Sequence, residues 1–306
     1  MRGLLFVLPL LADGGRGMDA NRADQASAGA DGGFVGGLWR YPVKSMLGEE
    51  LNAAEVTARG LLGDRQFAVV DAATGKVAGA KNPRKWGNFL DFRAAYVEPP
   101  QPGLALPAVR LTLPDGTAVT SGQADLPQIL SAVLGREVTF AAARQPGQLP
   151  GQLPGVTAEE YWPDVEGLDL RDTVTDFDLP EGTFFDVAVV HLLTTATIDR
   201  FRAFYPQGRF EVRRFRPNIV VSTGSGEQGF AEDDWIGRTV AIGDRARLRI
   251  TGPCSRCVMT TLPQGDLPKD AGILRTAAQQ NHVNVGVYAE VIAGGPIRRG
   301  DPVTVA

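Results

Sequence analysis

The sequence predicts a mostly β fold with some helix (α+β), organised as two domains. Three observations predict it. Short β-like runs recur at close spacing, separated by Gly-containing turn signals. Helical apolar spacing is confined to a few short stretches. Strands and helices do not alternate regularly, which argues against a βαβ arrangement.

Taken in order, residues 1–32 read as a disordered leader. MRGLLFVLPLLADGG carries one Arg and a short apolar stretch like a signal h-region, but no A-x-A cleavage site follows closely. Order is expected from near Phe34, in FVGGLWRYPVKSM, which stops at Pro42. Gln66 to Asp71 is β-like, and Thr74-Gly75 marks a turn. PAVRLTLPDGTAVT is a hairpin around Asp115-Gly116. ADLPQILSAVLG, 124–135, has helical spacing. Residues 33–143 therefore read as an N-terminal β-barrel or sandwich domain. RQPGQLPGQLPGVTA, 144–158, is a tandem repeat that holds neither helix nor central strand, so it is a linker loop.

Residues 159–306 form the second domain. FDVAVVHLL is a strand that turns through Thr194 into a helix, with a hydroxyl free to cap it. RFRPNIVVS is a strand led by Pro217. WIGRTVAIGDRARLRITGPCSRCVMTTL reads as three strand-like pieces, which places both cysteines within one strand-like run. DLPKDAGILRTAAQQ is a short helix, and VNVGVYAEVIAGGPIRRGDPVTVA closes the chain with two strands.

Composition narrows the function classes. The chain has 306 residues, a formal charge of −4, 43% hydrophobic residues and 22% charged ones, enough to bury a substantial core. No basic run marks a nucleic-acid partner. No apolar run approaches the ~20 residues that span a bilayer. Two cysteines cannot make a disulfide framework, and a C-x-x-C pair fits a reducing compartment, so a cytoplasmic location is expected.

The chemistry-bearing stretches are individually weak. GSGEQG, 224–229, matches G-x-G-x-x-G, but FAEDDWIG follows it, with acidic residues that would repel phosphate. It reads as a plain Gly-rich loop. Cys254 and Cys257 could be half of a zinc site, a redox pair, or ligands for a softer or high-valent metal centre. Zinc lacks partners, since His191 and His282 are the chain's two histidines, and His191 sits in an apolar strand as a satisfied core residue would. Arg256 would favour a thiolate. YPVKS offers Lys44 and Ser45 as an anion grip. GDRQF offers Arg65. RFRPNIVV offers Arg216 and Asn218, beside Arg213 and Arg214.

In order, LWRYPVKSMLGEEL, ARGLLGDRQFAVVD, RFRPNIVV, GPCSRCVMTTL and GPIRRGDPV resemble the MOSC-domain proteins with an N-terminal β-barrel domain, the branch of the mitochondrial amidoxime-reducing component. The resemblance runs from about Phe34 to the C-terminus. It implies an N-terminal β-barrel-like domain followed by a β-barrel MOSC domain with peripheral helices. It also implies a molybdenum cofactor, a Mo-pterin. The family's metal-ligating cysteine falls on Cys257, which becomes the catalytic and metal residue. Lys44, Ser45, Arg65, Arg216, Asn218 and Arg256 fall on cofactor-binding positions, and Thr194, Thr195 and Thr197 fall on a strand-to-helix turn that is Ser-rich in the family. Arg256 would support the Cys257 thiolate.

The implied activity is a molybdenum-dependent oxidoreductase that reduces N-hydroxylated small molecules. With no further cysteines for an iron–sulfur domain, a separate electron-donor protein of iron–sulfur or flavin/haem type is expected. The alternative is a MOSC-type cofactor carrier or sulfur-transfer module.

Overall fold

The computed structural model describes residues 30–143, 156–166, 170–224 and 229–306. Most of the expected leader, the linker through residue 155 and the centre of GSGEQG lie outside the described residues.

The first half contributes β1 (Ala30–Arg40), β2 (Glu49–Leu51), β3 (Ala53–Thr57), β4 (Gly60–Leu61), β5 (Phe67–Asp71), β6 (Arg93–Tyr96), β7 (Val109–Thr112), β8 (Ala118–Thr120), α1 (Leu126–Leu134) and β9 (Val138–Ala142). The second half contributes β10 (Thr157–Trp162), β11 (Thr173–Asp178), β12 (Val190–Thr194), α2 (Thr195–Phe204), α3 (Val212–Phe215), β13 (Ile219–Ser222), β14 (Thr239–Ile242), β15 (Ala246–Ser255), α4 (Ala271–Asn281), β16 (Asn284–Ala293), β17 (Gly295–Arg298) and β18 (Pro302–Val305).

Seven strands close into a barrel in the order β13-β12-β16-β15-β14-β18-β1, and β1 returns to pair with β13. The N-terminal strand thus completes the sheet of the C-terminal half. β1 starts at Ala30, upstream of Phe34, because Ala30 and Asp31 pair with Val305 and Thr304 of β18. It then bends to pair Phe34 to Leu38 with β13. The bend needs Gly33: its φ is +102°, and an added Cβ would lie 2.1 Å from the Ser222 carbonyl oxygen. Apolar side chains from alternate barrel positions, among them Val35, Leu38, Leu192, Ile219, Leu248 and Val287, fill the interior.

A second core lies in the first half. β5 pairs with β9, and β6, β7 and β8 form a meander. Asp115-Gly116 turns the β7–β8 hairpin, as the sequence suggested, and α1 ends on left-handed Gly135. Phe89, Phe92, Leu111 and Leu130 are buried there. So are Val258, Met259 and Leu262, which arrive from the other half of the chain. A third cluster, with Phe201, Phe210, Phe215 and Ile273, packs α2, α3 and α4 against the barrel.

Three readings of the second half are corrected. The chain closes with three strands, because β17 leaves the barrel to pair with β3. VMTT is a 3₁₀ turn, Val258–Thr261, so the two cysteines sit on different elements. VRRF is a short helix, Val212–Phe215, so the strand expected from RFRPNIVVS begins only at Ile219. The acidic stretch before β12, given no strands from sequence, is an antiparallel ribbon of β10 and β11.

Arg214 is fully buried, and its guanidinium donates to the carbonyls of Arg209, Thr260, Leu262 and Pro268 at 2.8–3.2 Å. Removing it strands several buried acceptors. Arg214→Met is expected to cost about 3 kcal/mol or more, read as a lowered urea midpoint.

Candidate functional site

The segments that carry the expected site residues converge on one cleft between the barrel and the first-half core. It holds about 670 Å³ of non-protein space, including its open mouth. Lys44, Ser45, Arg65, Arg216, Asn218, Arg256 and Cys257 all line it.

Three of these residues adopt left-handed backbone: Ser45 at φ 65°, Arg65 at 48° and Arg216 at 53°. Non-glycine residues rarely do so, at a cost of roughly 1–2 kcal/mol each. Each is held in place by the surrounding structure. Lys44 N–H donates to the Phe67 carbonyl and Arg65 N–H to the Tyr41 carbonyl. Asp64, fully buried, accepts from Tyr41 N–H at 2.7 Å and from Asn218 Nδ2 at 2.9 Å, and pairs with Arg65. Arg65 and Arg216 both stack on the Tyr41 ring, 5.0 and 4.2 Å from its centroid. Arg216 also donates to the Met46 carbonyl at 2.8 Å. Burial pulls its pKa down to about 10, so it remains charged at neutral pH.

Asn218 lines the cleft, but its amide serves the scaffold. It accepts from His191 N–H at 3.1 Å and donates to Asp64 and to the Trp39 carbonyl.

Thr194, Thr195 and Thr197 lie at the β12–α2 turn, as expected, but are not among the cleft-lining residues. Thr194 caps α2 by accepting from Thr197 N–H at 3.2 Å. Both hydroxyls donate to Glu232, whose burial raises its pKa, and Thr195 contacts Thr223.

The cleft also contains residues that the sequence did not single out. Asp186 accepts from Lys44 and lies 3.4 Å from Lys81. Burial opposes its ionisation, but Lys44, Lys81 and Arg65 outweigh that and hold its carboxyl below the usual range. Lys81 also approaches Glu160 of the ribbon at 3.4 Å, and these anions overcome its burial to raise its pKa. Neither residue stands in a motif; each follows from which loops meet at the cleft. Even with Asp64 and Glu160 counted, basic groups outnumber acidic ones. Tyr161, beside Glu160, packs against the first-half core, and Trp162 donates to Thr175 within the ribbon.

The two cysteines are free and differ in kind. Cys257 is partly exposed. Burial pushes its thiol up to about 11, against opposing fields from Lys81 first and Arg256 second. Arg256 favours the Cys257 thiolate through its field, as expected, and is also hydrogen-bonded to Cys254, with Nη1 2.7 Å from Sγ. Cys254 is fully buried on β15. Burial would raise its thiol, but Arg256, His191 and Tyr288 outweigh that and lower it to about 6. Gly286, at φ +83°, admits this cluster: an added Cβ would lie 2.4 Å from His191 Nε2. His191 is thus both a core residue, 3.0 Å from the Val285 carbonyl, and a wall of the cleft. Among the described residues, no three His, Cys, Asp or Glu side chains gather to hold a metal, so the further ligands of a structural zinc are missing there.

Titrating thiolate absorbance in the cofactor-free protein is expected to show one transition near 6 and another near 11. Cys254→Ser removes the first. The Cys254 value lies below the ordinary ~8.5, so the Cys254–Arg256 pair adds stability above that pH and loses it as pH falls toward 6.

The comparisons with known proteins follow the same two halves. The MOSC domain matches residues 181–304, and the MOSC N-terminal beta barrel domain matches residues 32–89. The chain is 25% identical to the mitochondrial amidoxime reducing component 2 of Rattus norvegicus, over 89% of this chain and 82% of the relative. It is 28% identical to the mitochondrial amidoxime-reducing component 1 of Xenopus laevis, over 97% and 91%. Among solved structures, the YuaD protein of Bacillus subtilis superposes with a TM-score of 0.44 at 11% identity, over 89% of this chain and 94% of that one. With both domains matched in order, the chain belongs to the MOSC-domain proteins that carry an N-terminal β-barrel domain.

Proposed function

We propose that the cleft binds a molybdenum cofactor and that the protein is an oxidoreductase acting on N-hydroxylated small molecules, with electrons from a separate protein. The observation that carries this reading is the partly exposed Cys257 thiol in a cleft lined by Lys44, Arg65, Lys81, Arg216 and Arg256. The names of the relatives, which are amidoxime-reducing components, support the substrate class.

The residues present fit such a cofactor. A pterin phosphate is anionic, and the cleft keeps an excess of positive charge. Arg256 Nε is buried without a partner in the protein, which suits an incoming acceptor. A thiolate is a fitting ligand for a soft or high-valent metal. When bound, the cofactor supplies the two-electron redox chemistry.

The chain's own residues would then divide the work. Cys257 Sγ would ligate the metal, losing its proton on binding. Lys44, Ser45, Arg65, Arg216 and Arg256 would hold the pterin and its phosphate. Asn218 and Asp64 fix the backbone from which Arg65 and Arg216 project. Reducing an N-hydroxyl group to an amine releases water and consumes an electron pair and protons. Lys81, which lines the cleft with Cys257, keeps its own proton because neighbouring anions outweigh its burial, and its charge favours the Cys257 thiolate.

Purified protein is expected to contain stoichiometric molybdenum and pterin and no zinc. It should reduce an amidoxime or a hydroxylamine with a reduced dye as electron source. Cys257→Ser is expected to lower that turnover roughly 100-fold or more. Full molybdenum-dependent turnover in Cys257→Ser overturns the assignment. Bound cofactor and a cysteine persulfide without turnover would establish the carrier or sulfur-transfer alternative instead.

A further inference from the structure

Cys254 is the buried nucleophilic group that the proposed function leaves unused. It lies on β15 with no exposed surface, three positions before the proposed metal ligand. Its contact with Arg256 is specific. Arg256 Nη1 donates to Cys254 Sγ at 2.7 Å, and Nη2 donates to the Phe215 carbonyl at 2.9 Å. The guanidinium is planar, so fixing two of its nitrogens fixes the direction of the third. That third nitrogen, Nε, is the buried one without a partner in the protein. Arg256 itself lines the cleft. The backbone on either side is also pinned: Arg256 N–H donates to the Val283 carbonyl, and Ser255 Oγ contacts Asn284 at 3.3 Å.

An arginine that spent all its donors on the protein would offer nothing to a ligand. One with no anchor would sample many rotamers, and a ligand would have to order it on binding. Here two of the three guanidinium nitrogens are anchored to the scaffold and Nε has no partner in the protein. The anchor atom is a fully buried sulfur on β15, with His191 and Tyr288 as further neighbours.

We propose that Cys254 is a positioning residue: through its Sγ–Nη1 hydrogen bond it aims Arg256, so that Nε–H is presented to the anionic cofactor. The inference rests on the proposed cofactor reading and adds to it a role for the first cysteine of the C-x-x-C pair.

The test is a double-mutant cycle on the purified holoprotein. Its readout is the rate of pterin release, followed by the fluorescence of the oxidised, released pterin. Cys254→Ala is expected to speed release about 10-fold. Cys254→Val, which keeps bulk and removes the acceptor, should do the same and serves if the alanine variant does not fold. Cys254→Ser, which keeps an acceptor, should restore part of the retention. In an Arg256→Gln background, Cys254→Ala should add nothing, because the group it aims is gone. A purely structural role for Cys254 would lower the urea midpoint and speed release equally in both backgrounds. Unchanged release in folded Cys254→Ala or Cys254→Val, or independent effects of the Cys254 and Arg256 substitutions, overturns the positioning role while leaving the cofactor reading intact. Wild-type protein that carries no pterin overturns the cofactor reading, and the positioning role with it.

Discussion

The burial of Val258, Met259 and Leu262 in the first-half core is the constraint on which the cleft depends. Cys254 belongs to the barrel wall, on β15. A few residues later the chain is inside a different core, beside Phe89 and Phe92. The intervening Ser255, Arg256 and Cys257 must cross the gap between the two. Apolar burial fixes both ends, at roughly 1.5–3 kcal/mol for each large side chain taken out of water. Cys257 is therefore held at the junction of the two halves rather than on the face of either. Arg214 reinforces the far end by binding the Thr260, Leu262 and Pro268 carbonyls.

The other wall of the cleft is built by the same principle with polar groups. Asp64 is buried and joins the β1 exit, the Arg65 turn and the β13 approach through three partners. Tyr41 lies between two guanidinium groups. These contacts hold Ser45, Arg65 and Arg216 in backbone conformations they would not adopt alone. The result is a concentration of like charge that only partial pairing relieves. Such clusters disfavour folding unless compensated, and an anionic ligand compensates them directly.

Much of the scaffold was legible in local sequence. The β7–β8 hairpin followed from Asp115-Gly116, α1 from its apolar spacing, and the α2 cap from Thr194. Each depends on a few neighbouring residues. Readings that needed distant partners were less complete. β1 begins earlier than its own apolarity suggests, because β18 pairs with it from the far end of the chain. The 3₁₀ turn after Cys257 looks like a strand in isolation; its side chains are apolar because they enter a remote core. Thr194, Thr195 and Thr197 were placed on the right turn, but that turn faces Glu232 and Thr223 rather than the cleft.

By itself the sequence determined the β-rich class and the hairpin and cap chemistry, which are written in residue type and short spacing that local physics can read. The motifs bearing Lys44, Ser45, Arg65, Arg216, Asn218, Arg256 and Cys257 are weak one by one and stand out only through the family resemblance that they carry in order. Only the tertiary structure decided that β1 closes the barrel, that Lys81 and Asp186 join the cleft, and that Arg256 hydrogen-bonds Cys254. These outcomes depend on contacts between segments far apart in the chain. Two cysteines separated by two residues look alike in sequence. They differ in the protein because one is fully buried on β15 and the other is partly exposed at the seam between two cores.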